Sequence, residues 1–256
     1  MAPHSSRPSG GLLTRIGGLG RGLLDLVYPP RCPGCARVGE LFCEKCRSSV
    51  RPYPIATCPR CGRGQAARSL CAACAAEPAR IDGICPATIY THPMREAIQS
   101  YKYANVRDLA GLLAQWLVAA WHAHDIAADV IVPVPLHARR EAERGYNQAE
   151  LLARELSRQV GVPTAPRELV RTVRTRPQVG LTRAERQRNI AGAFQCTDKV
   201  PGLRIVLVDD VCTTGATLES CAAALKDRGA ATVVGLTVAR PGWSDLSGSE
   251  TALTWA

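Results

Sequence analysis

Apolar residues follow two rhythms along this chain. Residues 205–208, 232–238 and 129–134 carry short runs that are apolar at odd and even positions alike. Such runs predict strands buried on both faces, as parallel sheets require. Residues 84–90 read as a further strand. The second rhythm has a period near 3.6. Met94, Ala97, Ile98 and Tyr101, then Leu109, Leu112, Leu113, Trp116, Leu117 and Ala120, mark a long helical pattern with a break around Asn105. Leu151, Leu152, Leu156 and Val160 form the inner stripe of a helix over 148–160, with Asn147 as its N-cap, and another helix is expected over 216–228. Strands alternating with helices predict an α/β fold around a parallel sheet, running from about Ile81 and closing at Pro241-Gly242.

Residues 31–80 follow neither rhythm. They hold Cys32-Pro33-Gly34-Cys35, Cys43-Glu44-Lys45-Cys46, Cys58-Pro59-Arg60-Cys61 and Cys71-Ala72-Ala73-Cys74, four C-x-x-C pairs that use eight of the twelve cysteines. One pair chelates an ion from a tight turn, and two pairs complete a site of four thiolates. A segment this small, with little apolar content between its cysteines, lacks a core and needs metal to fold. The expectation is two structural Zn2+ sites with no open coordination position. Sequential pairing is the simplest: Cys32, Cys35, Cys43 and Cys46 for one ion, Cys58, Cys61, Cys71 and Cys74 for the other. Interleaved pairing fits the spacing too. Cys85, Cys196, Cys212 and Cys221 are isolated and are expected to behave as small buried hydrophobes.

The densest chemistry follows the 205–208 strand, in Val208-Asp209-Asp210-Val211-Cys212-Thr213-Thr214-Gly215-Ala216-Thr217. Ligands of open α/β sheets sit beyond the carboxyl ends of strands, and a helix N-terminus presents free N–H groups to an anion. The hydroxyls of Thr213, Thr214 and Thr217 add donors, and Gly215 lets backbone approach the anion closely. Two carboxylates beside a phosphate cradle make sense when the ligand also carries hydroxyls or a divalent cation, which points to a sugar phosphate. Upstream, Pro133-Val134-Pro135-Leu136-His137-Ala138-Arg139-Arg140 places two prolines at the end of another strand and predicts a rigid loop at the same ligand-binding edge. Residues 166–190 hold Arg167, Arg171, Arg174, Arg176, Arg183, Arg186 and Arg188 against only two glutamates, and guanidinium forks suit phosphate and diphosphate. Lys102 is expected to be a solvated helix lysine.

Charge narrows the partners without choosing one. The formal net charge is +10, and residues 1–80 carry 12 Lys and Arg against 4 Asp and Glu. The basic excess is thus N-terminal, which permits nucleic-acid binding. Only Phe42 and Tyr53 sit among the cysteines, however, and single-strand binders usually need stacking rings. No apolar run reaches the ~20 residues of a membrane span. Residues 1–30 carry a glycine-broken apolar stripe, expected to be a short amphipathic or flexible arm rather than a signal peptide, and the last 15 or so residues a weakly ordered tail. The expected location is cytoplasmic.

The acidic pair with T-T-G-A-T resembles the phosphoribosyl-diphosphate (PRPP) loop of type I phosphoribosyltransferases. With the four C-x-x-C pairs, P-V-P-L-H…R-G-Y-N-Q-A and Q-V-G-L-T-R-A-E-R-Q-R-N-I-A-G-A-F, the chain from about Leu23 to Val238 resembles the ComF family. That resemblance implies a parallel-sheet type I phosphoribosyltransferase fold over 81–240, preceded by a double zinc-ribbon module over 31–80. It implies PRPP, carried with Mg2+, on Asp209, Asp210, Thr213, Thr214, Gly215, Ala216 and Thr217. Its diphosphate would lie on Pro135, Leu136, His137, Arg139 and Arg140, under a hood carrying Arg183 and Arg186. It further implies a part in natural competence, assisting uptake of single-stranded DNA on the cytoplasmic side of the inner membrane together with the uptake machinery. Transfer of phosphoribose to a nitrogenous acceptor, and a non-catalytic module that senses PRPP or docks proteins, stay open beside that role.

Overall fold

A computed structural model describes residues 29–54, 56–76, 78–172 and 192–242. The strands are β1 (Gly83–Ile89), β2 (Val130–Pro133), β3 (Leu169–Arg171), β4 (Phe194–Cys196), β5 (Arg204–Val211) and β6 (Thr232–Arg240). The helices are α1 (Glu44–Ser48), α2 (Ala72–Ala76), α3 (Met94–Tyr103), α4 (Leu109–Ala123), α5 (Ala138–Arg144), α6 (Gln148–Val160) and α7 (Ala216–Lys226). The four long strands form one sheet in the order β1-β6-β5-β2, and every pair in it is parallel.

Parity along β5 explains why its sequence is apolar throughout. Val206 and Val208 face a core that also takes side chains from α3, α4 and α6, while Ile205 and Leu207 face a second core with Leu218, Cys221 and Leu225 of α7. The β3–β4 hairpin packs into this second core through Leu169 and Phe194. Burying each such aliphatic side chain stabilises the fold by about 1.5–3 kcal/mol. The expected break near Asn105 is real, since Asn105 has φ 56° and separates α3 from α4. Asn147 caps α6 as expected, its side chain accepting the Ala149 N–H at 3.0 Å. Strands β3 and β4 and the short helices α1 and α2 were not anticipated, and the stretch expected to be a rigid loop after Pro135 becomes the seven-residue helix α5, capped by His137 Nδ1, which accepts the Arg139 N–H at 3.2 Å. Cys196, Cys212 and Cys221 are buried as expected, and Cys85 is half-buried.

The cysteine-rich segment grips the sheet directly. The Tyr53 N–H donates to Ala87 O and the Ile89 N–H donates to Arg51 O, both at 2.9 Å, which adds an antiparallel edge to β1. An exposed strand edge is thereby covered. Cys32, Phe42, Cys46 and Val50 join the α3–α4 core, with the Phe42 and Trp116 rings 5.8 Å apart. The buried Arg240, at the end of β6, donates from Nη1 to Cys61 O. Gly62 turns with φ +66° so close to β1 that a Cβ there would lie 2.3 Å from Ile84 O.

The expected N-terminal arm, the glycine-punctuated Arg-rich segment with Arg174, Arg176, Arg183, Arg186 and Arg188, and the tail beyond Gly242 lie outside the described residues. Among the described residues, no helix is long and apolar enough to cross a membrane.

Gly62→Ala should destabilise the protein well beyond the ~1–2 kcal/mol of a left-handed Cβ alone, because the methyl meets backbone. Gly161→Ala, at φ +74° with nothing within 4 Å, supplies the control that carries only the backbone strain. Denaturant unfolding of the zinc-loaded protein compares them, and equal losses would contradict the close docking on β1.

Candidate functional site

The site begins with the pairing of β2 and β5. Pro133 lies opposite Val208, and the Val134 N–H donates to Val208 O at 2.9 Å. The chain leaving β2 returns through α6 to Thr164, which bridges Ile131 on the outer side, whereas β5 returns through α7 to β6 on the other side. Connections therefore diverge at the β2–β5 boundary, the switch point at which open α/β sheets hold ligands. The expected diphosphate loop and the expected phosphate turn emerge there side by side. Asn147 fastens the first of them, its Nδ2 donating to Val134 O at 3.2 Å.

The acidic pair sits differently from its sequence reading. Strand β5 extends to Val211, so Asp209 and Asp210 lie within it and not past its end. Successive strand residues face opposite sides, and the two carboxylates divide between the two faces. Asp210, buried on the α3 side, is held by Lys102, with Nζ to Oδ1 at 2.7 Å. The expectation of a solvated Lys102 is thus corrected. The residue sits in the last turn of α3, and its helical phase, beside the buried Tyr101, could not show what lies across from it. Burial opposes its charge, but Asp210 and then Asp209 hold Lys102 above the ordinary lysine range. Asp209 is half-buried on the other face. Burial, then the Asp210 carboxylate, push it up to about 7, against the pull of Lys102, the Asp210 N–H and Arg171. Sequence reading placed Arg171 only within an arginine-rich stretch. Its guanidinium lies over the Phe194 ring at 5.5 Å, and burial followed by Arg140 holds it below the ordinary arginine range.

The turn after β5 closes a hollow of about 60 Å3 lined by Asp209 and residues 211–218. Gly215 adopts φ +86° and starts α7 with no side-chain cap, while the Ala216 N–H points to Thr214 Oγ1 at 3.4 Å. Across the switch point, Pro135, Leu136 and His137 run between β2 and α5. Arg139 is engaged with Glu143 at 2.9 Å on the exposed face of α5, and the positive charge of Arg140 disfavours that of Arg171. A cleft of about 180 Å3 lies between the turn, at Thr214, Gly215 and Ala216, and the second cysteine knuckle, at Arg60, Cys61 and Cys74.

The eight cysteines form two tetrads, Cys32, Cys35, Cys43 and Cys46, and Cys58, Cys61, Cys71 and Cys74, each with sulfurs within 4.8 Å of one another. The pairing is therefore sequential. Cys35 and Cys43 Sγ are 3.5 Å apart, and Cys61 and Cys71 Sγ 3.8 Å, close to the ~3.8 Å edge of a zinc–thiolate tetrahedron with ~2.3 Å bonds. Backbone N–H groups of Cys43 and Cys71 donate to the sulfurs of Cys32 and Cys58, each at 3.4 Å. Burial opposes ionisation of both acceptors, yet these and neighbouring amides bring Cys32 down to about 7 and Cys58 to about 6. Both donor sets fit a zinc ion, which would supply the positive charge that four converging sulfurs lack.

Two families match the chain: the double zinc ribbon domain over residues 23–87 and the phosphoribosyl transferase domain over residues 114–242. The chain is 34% identical to the DNA utilization protein YhgH of Salmonella typhimurium, over 75% of its own length and 87% of that protein's. It is 32% identical to competence protein F of Haemophilus influenzae (73% and 85%) and 31% identical to competence protein ComFC of Bacillus subtilis (78% and 85%).

Elemental analysis should return two zinc ions per chain, with Cys46→Ala and Cys74→Ala each leaving about one; a full complement in either variant would contradict the tetrads. A second expectation concerns pH. Folded Asp209 keeps its proton to about 7 against an ordinary 3.8, so the folded state binds more protons between those values and loses stability as pH rises through that window. Asp209→Asn removes this component, so its Tm should gain on the wild type from about pH 4 to 7 and run parallel above. Parallel curves throughout would contradict the assigned burial.

Proposed function

The chain belongs to the ComF family of competence proteins, and from that premise we propose that it binds Mg2+-PRPP at the β2–β5 switch point and handles single-stranded DNA during natural competence. One observation carries the ligand assignment. Two loops with separate phosphate signatures, far apart in sequence, leave adjacent strands that stay hydrogen-bonded up to Val134 and Val208. The 5'-phosphate takes the hollow at Thr213, Thr214, Gly215, Ala216 and Thr217. Asp209 and Asp210 hold the ribose hydroxyls, and their carboxylate oxygens suit a hard divalent cation. The diphosphate lies against Pro135, Leu136 and His137, with Arg140 better placed than the already engaged Arg139. The family resemblance assigns the diphosphate two further cationic partners, Arg183 and Arg186, which lie outside the described residues. When bound with PRPP, Mg2+ neutralises diphosphate charge and eases its departure.

Residues 31–80 serve as a zinc-held platform for the ligand domain at 81–240. The names of the relatives support work on DNA, which would place the protein at the cytoplasmic side of the inner membrane with the uptake machinery. A second reading, phosphoribose transfer, is favoured by an open cleft of about 490 Å3 lined by Lys102, the partner of Asp210. Transfer would break the anomeric C–O bond to diphosphate and form a C–N bond to an acceptor nitrogen, whose proton passes to solvent.

Calorimetric titration of the zinc-loaded protein with PRPP should show saturable, Mg2+-dependent binding that Asp210→Ala and Thr214→Ala each weaken at least about tenfold, as loss of a charge-assisted contact does. No binding by the wild type would leave the T-T-G turn a scaffold and end this reading.

A further inference from the structure

The cleft beside Lys102 has a chemistry of its own. Its walls come from the end of α3, the Asn105 turn and α5 with the residues just after it, and it is lined by Lys102, Tyr103, Asn105, Arg140, Glu143, Arg144 and Tyr146. Three of these side chains are cationic and one is anionic, and Glu143 is already engaged by Arg139 at 2.9 Å. Tyr103 is 72% exposed, and among the described residues it is the one Phe, Tyr or Trp ring left exposed. Phe42 and Tyr53 of the cysteine-rich segment, the two rings there available to stack on a base, are instead buried. The Arg144 guanidinium lies 5.0 Å from the centre of the Tyr103 ring, and Arg107 lies 4.6 Å from that of Tyr146.

A single exposed ring is ordinary on a protein surface; what sets Tyr103 apart is the basic cleft it lines and the guanidinium beside its ring. An aromatic face flanked by guanidinium groups accepts a planar heteroaromatic ring by stacking, and the guanidinium groups pair with phosphate. Inorganic phosphate alone would make no use of the ring, and a purely apolar ligand would meet three cations. We propose that this cleft binds a nucleotide, with its base on Tyr103 and its phosphate on Arg144, as a free mononucleotide or as one residue of a single strand. The site rests on the PRPP reading for its role: Lys102, bonded to Asp210, forms the wall common to both, so the nucleotide lies directly beside the sugar phosphate. The cysteine-rich segment, basic as it is, then need not contact the bases at all.

The test uses the full-length, zinc-loaded chain and two probes, AMP followed by calorimetry and a labelled oligothymidylate followed by fluorescence anisotropy. Each protein is also titrated with Mg2+-PRPP. Tyr103→Ala should weaken the nucleotide probe roughly fivefold to a hundredfold, the range for loss of base stacking, with Tyr103→Phe near wild type and Arg144→Ala also weakened. Mg2+-PRPP affinity should stay unchanged in Tyr103→Ala and fall in Thr214→Ala. Loss for the strand as well as AMP identifies a single strand as the source, and loss for AMP alone a free nucleotide. Nucleotide binding that survives in Tyr103→Ala but disappears in Thr214→Ala overturns the proposal, as does failure of both probes to bind the wild type. If the nucleotide responds as expected while PRPP fails to bind, the cleft stands and only the sugar-phosphate reading falls.

Discussion

The parallel ladder between β2 and β5 is the constraint on which the rest depends. A parallel pair fixes both strands' carboxyl ends on one edge of the sheet, and the Pro133–Val208 register sets how far each chain runs before it turns. A slip of one residue would turn every side chain of β5 to the other face. Asp210 would leave Lys102, and Val206 and Val208 would exchange cores with Ile205 and Leu207. The apolar core and the polar edge therefore enforce the same register. The site is as well determined as the hydrophobic packing beneath it.

At that edge the fold concentrates opposite charges at close range. Lys102 pairs with Asp210, Arg171 on β3 favours the charge of Asp209, and Arg140 disfavours that of Arg171. Burying one partner of such a set alone would be strongly destabilising, so the cluster holds together as a unit. Asp209 sits high in its range because it is desolvated next to a second carboxylate. A cation-bearing ligand relieves that repulsion, and in this sense the edge is preorganised for charge it does not itself supply. The cysteine-rich segment shares in this order. It pairs with β1, contributes to the α3–α4 core, and receives the Arg240 guanidinium at Cys61 O, at the end of the strand next to β5.

Much of this was legible in the sequence, for identifiable reasons. Doubly apolar strands, the Asn147 cap and four C-x-x-C pairs are local patterns, and local patterns survive into the fold. The adjacency of the P-V-P loop and the T-T-G turn followed from the α/β reading with its ligand edge. What was missed is non-local or depends on phase. The course of β5 through Asp209 and Asp210 could not be read because carboxylates ordinarily end a buried strand; here Lys102 and Arg171 make them tolerable. Lys102 looked like a surface lysine because its partner lies far along the chain. Helix α5 was hidden by the prolines before it, and its cap is a histidine rather than the usual Ser, Thr, Asp or Asn. Sequential zinc pairing could not be separated from interleaved pairing by spacing, which does not say which pairs meet in space; the two tetrads of converging sulfurs do.

A crystal structure of the zinc-loaded protein grown with saturating Mg2+ and PRPP addresses the central claim directly. The account predicts the 5'-phosphate in the hollow at residues 213–217, the ribose on Asp209 and Asp210, and the diphosphate against residues 135–137. PRPP bound elsewhere, or a switch point left without ligand at saturation, would contradict it.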